Sequence, residues 1–358
     1  MTSTADSFRV AARRSAILEE KVADNPEGFR VLTGDRPTGA LHLGHYFATL
    51  ANRVRLQDLG VEVNVVVADY QVITDRDSVG RLADNVRAMV ADYLAAGIDP
   101  QRTTVFAHSA VPALNQLMVP FLSLVSVAEL QRNPTVKAEA DAAGDRALTG
   151  LLLTYPVHQA ADILFCHANL VPVGKDQLPH VETTRLVARR FNERYAGGDT
   201  IFAEPDVLLT AASVLLGTDG TKMSKSRGNA IELRASEDDT ARLIRTAKTD
   251  TERVITYDPD ARPEVASLVL LAALCTGTDP NDVAESIGAR GASTLKTLVI
   301  EAVNERLRAH RRRRAELIAD PAYLTDVLAQ GNVRANQVAD GTLRHVRQVM
   351  GMTYQPAR

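Results

Sequence analysis

The period of the apolar positions changes along the chain. Phe8, Ile17, Leu18 and Val22 recur at helical spacing between Asp6 and Ala23, and Asn25-Pro26 with Gly28 stops that helix. A short strand, Phe29 to Thr33, then enters the turn Gly34-Asp35-Arg36-Pro37-Thr38-Gly39, and a helix opens near Leu43. Val61 to Ala68 is rich in β-branched apolar residues, as expected of a strand covered on both faces of a parallel sheet. Val79, Leu82, Val86, Met89, Val90 and Tyr93 mark the next helix, which Gly97 ends, and Thr103 to Ala107 is another strand. Strand alternating with helix predicts a Rossmann-type α/β fold with a doubly wound parallel sheet.

Further helices are predicted at Pro112 to Gln131 and Gly150 to Phe165, then a strand at Leu170 to Val173 and a helix from about Asp176 to Tyr195. After Ser226 the strand signal fades, and Glu237 to Ala247, Pro263 to Cys275 and Thr294 to Ala319 read as helices. The predicted organisation is a helical extension over 1–28, a sheet domain over 29–227 and a smaller helical domain over 228–319. Residues 320–358 supply a C-terminal helix, after Asn332, that packs back on the sheet domain.

Composition narrows the function classes. With 358 residues, 45% of them apolar and a formal charge of -3, the chain is an ordinary globular protein of about two domains, not a polycation. Contact with nucleic acid therefore requires a local basic patch. Only Cys166 and Cys275 occur, so no disulfide framework, structural zinc or iron-sulfur site is expected. The opening residues lack a signal-peptide core and no window spans a membrane, which places the protein in the cytoplasm as an expectation. The chain contains no Trp.

Two motifs carry chemistry. Pro37-Thr38-Gly39-Ala40-Leu41-His42-Leu43-Gly44-His45 follows a strand and opens a helix, where glycine allows close backbone approach and a helix N-terminus attracts anions. His42 and His45 can donate hydrogen bonds to phosphate oxygens as a leaving group departs; a metal pair or two surface histidines is the bland alternative. Lys222-Met223-Ser224-Lys225-Ser226, between Gly217-Thr218-Asp219-Gly220 and Arg227-Gly228-Asn229, puts two lysines on a glycine-bordered loop able to close over a triphosphate. Tyr155, Gln159 and Asp162, four and three apart, share one helix face. The densest basic stretch holds Arg306, Arg308, Arg311, Arg312, Arg313 and Arg314, a surface suited to RNA phosphates or a merely solvated helix face.

HLGH and KMSKS are the paired signatures of class I aminoacyl-tRNA synthetases. The text between them, from Leu153-Thr154-Tyr155-Pro156-Val157-His158-Gln159 through Val171-Pro172-Val173-Gly174-Lys175-Asp176-Gln177 to Arg190-Phe191-Asn192-Glu193-Arg194-Tyr195, resembles the bacterial tryptophanyl-tRNA synthetases. The likeness runs from about Arg30 to Met352. It implies a ligase that activates L-tryptophan with ATP and passes it to tRNA(Trp), as a homodimer, with Mg2+ carried in on the nucleotide and no metal site of its own.

By the same resemblance His42, His45, Lys222 and Lys225 are catalytic, and Gly34, Asp35, Arg36, Thr38, Gly44, Asp176, Met223 and Ser224 bind ATP. Tyr155, Gln159 and Gln177 hold the ammonium group and Asp162 accepts the indole N-H. Arg306 and Arg311 to Arg314 contact tRNA. The chain departs from many bacterial members at Leu32, Arg36, Gln71 and Gln159. A tyrosyl-tRNA synthetase, a small-molecule nucleotidyltransferase and a non-catalytic tryptophan- or tRNA-sensing paralogue are the alternatives.

Overall fold

The computed structural model describes residues 4–74, 79–142, 148–174, 177–209, 215–224 and 227–354. In chain order the elements are α1 (Thr4–Asp24), β1 (Arg30–Asp35), α2 (Leu43–His45), which runs through a π-helical turn at Tyr46–Leu50 into α3 (Ala51–Leu59), then β2 (Glu62–Val67), α4 (Leu82–Ala96) and β3 (Thr104–Ala107). They continue with α5 (Pro112–Leu122), α6 (Val127–Arg132), α7 (Pro134–Ala142), α8 (Gly150–Leu164), β4 (Leu170–Val173), α9 (Leu178–Tyr195) and β5 (Asp206–Leu209). The remainder is helical: α10 (Glu237–Arg245), α11 (Pro263–Thr276), α12 (Pro280–Ile287), α13 (Gly291–Ala319) and α14 (Pro321–Val349). Among the described residues no helix is long and apolar enough to cross a membrane.

The five strands run parallel in the order β3-β2-β1-β4-β5, so the winding reverses between β1 and β4. This is the doubly wound Rossmann-type sheet, whose ligands enter at the carboxyl ends of the strands where the order reverses. Val63, Val65, Val66 and Val67 of β2 are all buried, which accounts for the nearly unbroken apolar run. The edge strand β5, four residues with only Val207 and Leu208 buried, escapes the sequence pattern. Helix α1 covers it: Ser15 Oγ accepts from Leu209 N at 2.9 Å and Arg14 pairs with Asp206 at 2.5 Å.

The predicted single helix over Pro112 to Gln131 is two helices. Ser126 interrupts it as the N-cap of α6, accepting from Glu129 N while the Glu129 carboxylate accepts from Ser126 N at 2.8 Å. Helix α12 was not predicted, and α14 starts at Pro321, capped by Asp320, eleven positions or so before the expected Asn332. Where α14 crosses β3, a Cβ on Gly331 would lie 1.7 Å from the Val105 carbonyl oxygen, so only glycine fits, and Asn332 Oδ1 accepts from Ala107 N at 2.8 Å. One apolar cluster continues from the sheet through α4 into α11 and α13.

Candidate active site

A cavity of about 520 Å³ opens at the carboxyl ends of β1 and β4. Thr33, Gly34, Asp35 and Arg36 line one wall, with His42, Gly44 and His45 from α2, and Lys222 and Met223 close that end. Tyr155, Gln159 and Asp162 of α8, Gln177, and the Val171–Gly174 segment line the other. The four-and-three spacing on α8 therefore does turn those side chains into one cleft. Thr38 and Ser224 are not among the lining residues; Asp176 and Lys225 lie outside the described residues.

The two signature motifs are bonded to each other. Leu43 N donates to Ile231 O at 3.0 Å and Leu233 N to Leu41 O at 2.9 Å, so the strand-like segment after the lysine loop is stitched to the histidine motif. His42 N donates to His45 Nδ1 at 3.3 Å, which places the proton of the neutral His45 ring on Nε2. The two rings pack against each other at a tilt of 39°, centroids 3.8 Å apart. Burial, and then the neighbouring His45, push His42 down to about 3. His45 is likewise lowered by burial, with Arg53 and Lys222 adding to the effect and Asp35 opposing it. Both rings are therefore neutral donors at neutral pH rather than cations. Gly34 has a packing reason of its own, since a Cβ there would lie 2.2 Å from the Val66 carbonyl oxygen.

Beneath this wall sits a buried ion pair that sequence reading missed. Arg53 of α3, 1% exposed, bonds Asp35 Oδ2 at 2.5 Å and Thr33 Oγ1 at 3.0 Å, and Tyr93 OH donates to the same carboxylate oxygen at 2.7 Å. Burial alone would raise Asp35, but the Arg53 guanidinium overcomes it and holds the group at about 2. Its only sequence signal is an arginine in an otherwise half-apolar helix.

Asn229 fastens the lysine loop. Its Oδ1 accepts from Ser224 N at 2.7 Å, and its Nδ2 donates to Asp219 Oδ1 at 2.7 Å and to Thr221 Oγ1 at 3.1 Å. Asn229 is 2% exposed, and a Cβ on Gly217 would lie 2.3 Å from its amide nitrogen, so the glycine makes room for it.

At the far end, Asp162 is 4% exposed and its Oδ1 lies 2.9 Å from His108 Nε2. The His158 ring lies tilted over His108 with centroids 4.0 Å apart. Asn115 Nδ2 donates to the carbonyls of His108 and Val111, which turns its Oδ1 toward His158 Nε2 at 2.7 Å and puts the His158 proton there. His158 Nδ1 then accepts from Gln71 Nε2 at 3.1 Å. His108, His158 and Asp162 bring ligand-type atoms within 4.8 Å of one another, yet both His158 nitrogens are used in hydrogen bonds, which leaves that ring no lone pair for a cation. Tyr155 OH sits 3.2 Å from His180 Nε2, and burial with the Glu139 carboxylate pushes the phenol up. Lys137, on the same helix as Glu139, stays exposed.

The basic helix divides. Arg311 turns inward to Asn304 and Thr240, at 2.9 and 2.8 Å, and Arg314 bonds the buried Asp92 of α4 at 2.6 Å. Arg306, Arg312 and Arg313 are exposed, Arg306 with its guanidinium 5.6 Å from the Tyr46 ring centroid and Arg313 paired with Glu316 at 3.0 Å. The wide positive surface expected from sequence is therefore narrower, because two of its arginines hold helices together.

Comparisons place this geometry among known proteins. The family model described as tRNA synthetases class I (W and Y) matches residues 24–308. A tryptophan--tRNA ligase of Treponema pallidum is 43% identical over 336 residues, covering 91% of this chain and 98% of that protein. One from Thermotoga maritima is 38% identical over 331 residues, covering 91% of this chain and 100% of that protein. The solved tryptophanyl-tRNA synthetase of Campylobacter jejuni, complexed with ADP and tryptophane, superposes with a TM-score of 0.76 at 29% identity, covering 90% of this chain and 99% of that one.

Proposed function

Because the chain belongs to the class I tRNA synthetases of the tryptophan and tyrosine group, we propose a two-ended reading of its cleft, with ATP at the histidine and lysine motifs and the amino acid at α8. The protein is a tryptophan–tRNA ligase, an ATP-using class I enzyme. Tryptophan's carboxylate oxygen attacks the α-phosphorus in line, the bond to the bridging oxygen breaks, and pyrophosphate leaves with the electron pair. The ribose hydroxyl of tRNA(Trp) then attacks the adenylate carbonyl and AMP departs. Positioning and charge do the work, with no covalent enzyme intermediate.

The observation that carries this reading is the cleft itself, which has His42, His45 and Lys222 at one end and Asp162 at the other. Neutral His45, with its proton on Nε2, donates to the pyrophosphate as its charge grows, and Lys222 with Lys225 supplies positive charge. Gly34, Arg36, Gly44 and Met223 line the nucleotide end of the cleft, and Thr38, Asp176 and Ser224 are proposed to join them on the bound nucleotide. Asp35 acts through Arg53 as a rigid floor. Tyr155, Gln159 and Gln177 meet the ammonium group. Asp162 accepts the indole N-H, and phenylalanine in its place would leave a buried carboxylate unmatched. Asp35 and Asp162 face Arg53 and His108, and Mg2+ would be carried on the nucleotide phosphates and supply charge there.

Residues 29–227 perform activation, and the helices within 228–319 meet the anticodon end of tRNA through Arg306, Arg312 and Arg313. The enzyme works as a cytoplasmic homodimer, its interface near the 112–137 segment, where Val119 is 71% and Val127 59% exposed. The test is charging of tRNA with labelled tryptophan beside labelled tyrosine: tryptophan alone should be esterified, and charging with tyrosine would replace this reading by the tyrosine one.

A further inference from the structure

His108 and its surroundings are built more tightly than a core histidine requires. It stands in the turn just after β3 and is 0% exposed. Ser109 N donates to Asp69 Oδ1 at 2.9 Å and Asn115 Nδ2 to the His108 carbonyl at 3.1 Å, so the peptide joining His108 to Ser109 is held at both its N–H and its C=O. Tyr70 meets the ring edge-on at 5.7 Å and His158 packs on it at a tilt, centroids 4.0 Å apart.

Asp162 has one oxygen, Oδ1, sealed from solvent and turned to His108 Nε2. A molecule entering the cavity therefore meets the other oxygen. We propose that His108 is a specificity-determining residue that holds Asp162 Oδ1 and so fixes Oδ2 as the acceptor for the indole N-H of the amino-acid substrate. The proposal rests on the reading of this cleft as a tryptophan-activating site.

The titratable and charged groups facing His108 are Asp162 and His158 from α8, and Asp69 and Tyr70 from the turn after β2. Burial opposes a charge on His108, but Asp162 and, more weakly, Asp69 outweigh it and raise the imidazole above its ordinary value. Burial instead pushes His158 down to about 4, and its two nitrogens are committed to Gln71 and Asn115. His158 is thus the neutral ring of the pair, and the raised His108 faces Asp162 Oδ1 at 2.9 Å, an electrostatic contact that holds this oxygen although its N–H line is not that of a linear hydrogen bond.

Amino-acid-dependent ATP–pyrophosphate exchange tests this with two substrates of the same shape, tryptophan and 3-(benzothiophen-3-yl)alanine, which has sulfur where the indole has N-H. His108→Phe keeps the ring packing but removes the partner of Asp162; His108→Gln keeps a neutral donor. In His108→Phe the KM for tryptophan should rise by about tenfold or more while the KM for the analogue moves less than about twofold and the KM for ATP is unchanged. His108→Gln should lose part of the discrimination, less than His108→Phe, and decides the matter alone if the Phe protein does not fold. Equal losses on both substrates, or an unchanged ratio, overturn the proposal. A wild-type protein without tryptophan-dependent exchange overturns the site reading beneath it, whereas an active wild type with unmoved variants overturns only the role of His108.

Discussion

Asn229 Oδ1 accepts from Ser224 N at 2.7 Å, and through this one side chain the lysine loop is held against the turn at Asp219. Because the same amide also bonds Thr221 Oγ1 and the Lys222 carbonyl, only a side-chain amide supplies this mixture of donor and acceptor, and that of glutamine stands one methylene further from the backbone.

Asn229→Ala should release the loop without touching substrate. Adenylate formation is expected to slow by roughly 10–100-fold, with KM for tryptophan nearly unchanged, because a loop that acts on the leaving pyrophosphate counts in the transition state. Buried partners left unmatched should lower stability by about 1–3 kcal/mol. Steady-state exchange kinetics and thermal melts check both; a KM effect without a kcat effect would contradict the assignment.

Arg53→Leu should cost about 3–5 kcal/mol, since it strands the Asp35 carboxylate in a buried site. The pH dependence follows the sign of the shift. Asp35 is held at about 2, below its unfolded value, so its contribution is present above the ordinary carboxylate range and disappears as pH falls toward 2. Urea melts between pH 2 and 6 should therefore show a shallower acid limb in Asp35→Asn than in the wild type.

His42 and His45 are lowered, so in the free protein neither should titrate near neutrality. The unfolded chain binds more protons on these rings, and stability accordingly falls as pH drops below the ordinary imidazole range. NMR of the imidazole Cε1 protons should show His42 flat from pH 5 to 8. Bound ATP, whose phosphates favour the charged form, should move both upward. A histidine titrating near 6.5 at position 42 would contradict the burial seen here.

On the basic helix, Arg312→Gln with Arg313→Gln should weaken tRNA charging without slowing pyrophosphate exchange, and the defect should shrink as salt rises. Arg314→Met is expected to behave differently: it leaves Asp92, 1% exposed, with only the His310 imidazole at 3.5 Å in place of a guanidinium and should destabilise the fold by about 3 kcal/mol. Chemical denaturation separates the two classes of arginine.

Sequence reading reached the parts of this protein that are local. The β2 run, the α4 helix ended at Gly97, and the histidine motif at the start of α2 are legible because strand, helix and cap signals lie within a few residues of one another. The face shared by Tyr155, Gln159 and Asp162 follows from helical spacing alone. Illegible were the features made by tertiary packing. Arg53 meets Asp35 across 18 positions, Arg314 meets Asp92 across 222, and nothing in either neighbourhood announces a buried ion pair. His108 is illegible for the same reason, since Asp162 lies 54 positions away, whereas the break at Ser126 does carry a local Ser-x-x-Glu signature.

The absence of Trp from the chain makes substrate binding directly visible. Tryptophan added to the protein is then the only indole present, so its emission should shift on burial beside Asp162 and saturate at one ligand per active subunit. In Asp162→Ala the shift should weaken while ATP binding persists; an unaltered titration would place the indole elsewhere.

Activation of tryptophan by ATP in this cleft is tested most directly by exchange of labelled pyrophosphate into ATP, supplied with each of the standard amino acids in turn. Exchange should depend on tryptophan and fall to background with phenylalanine and tyrosine. Exchange driven by tyrosine, or none with any amino acid, would contradict the account.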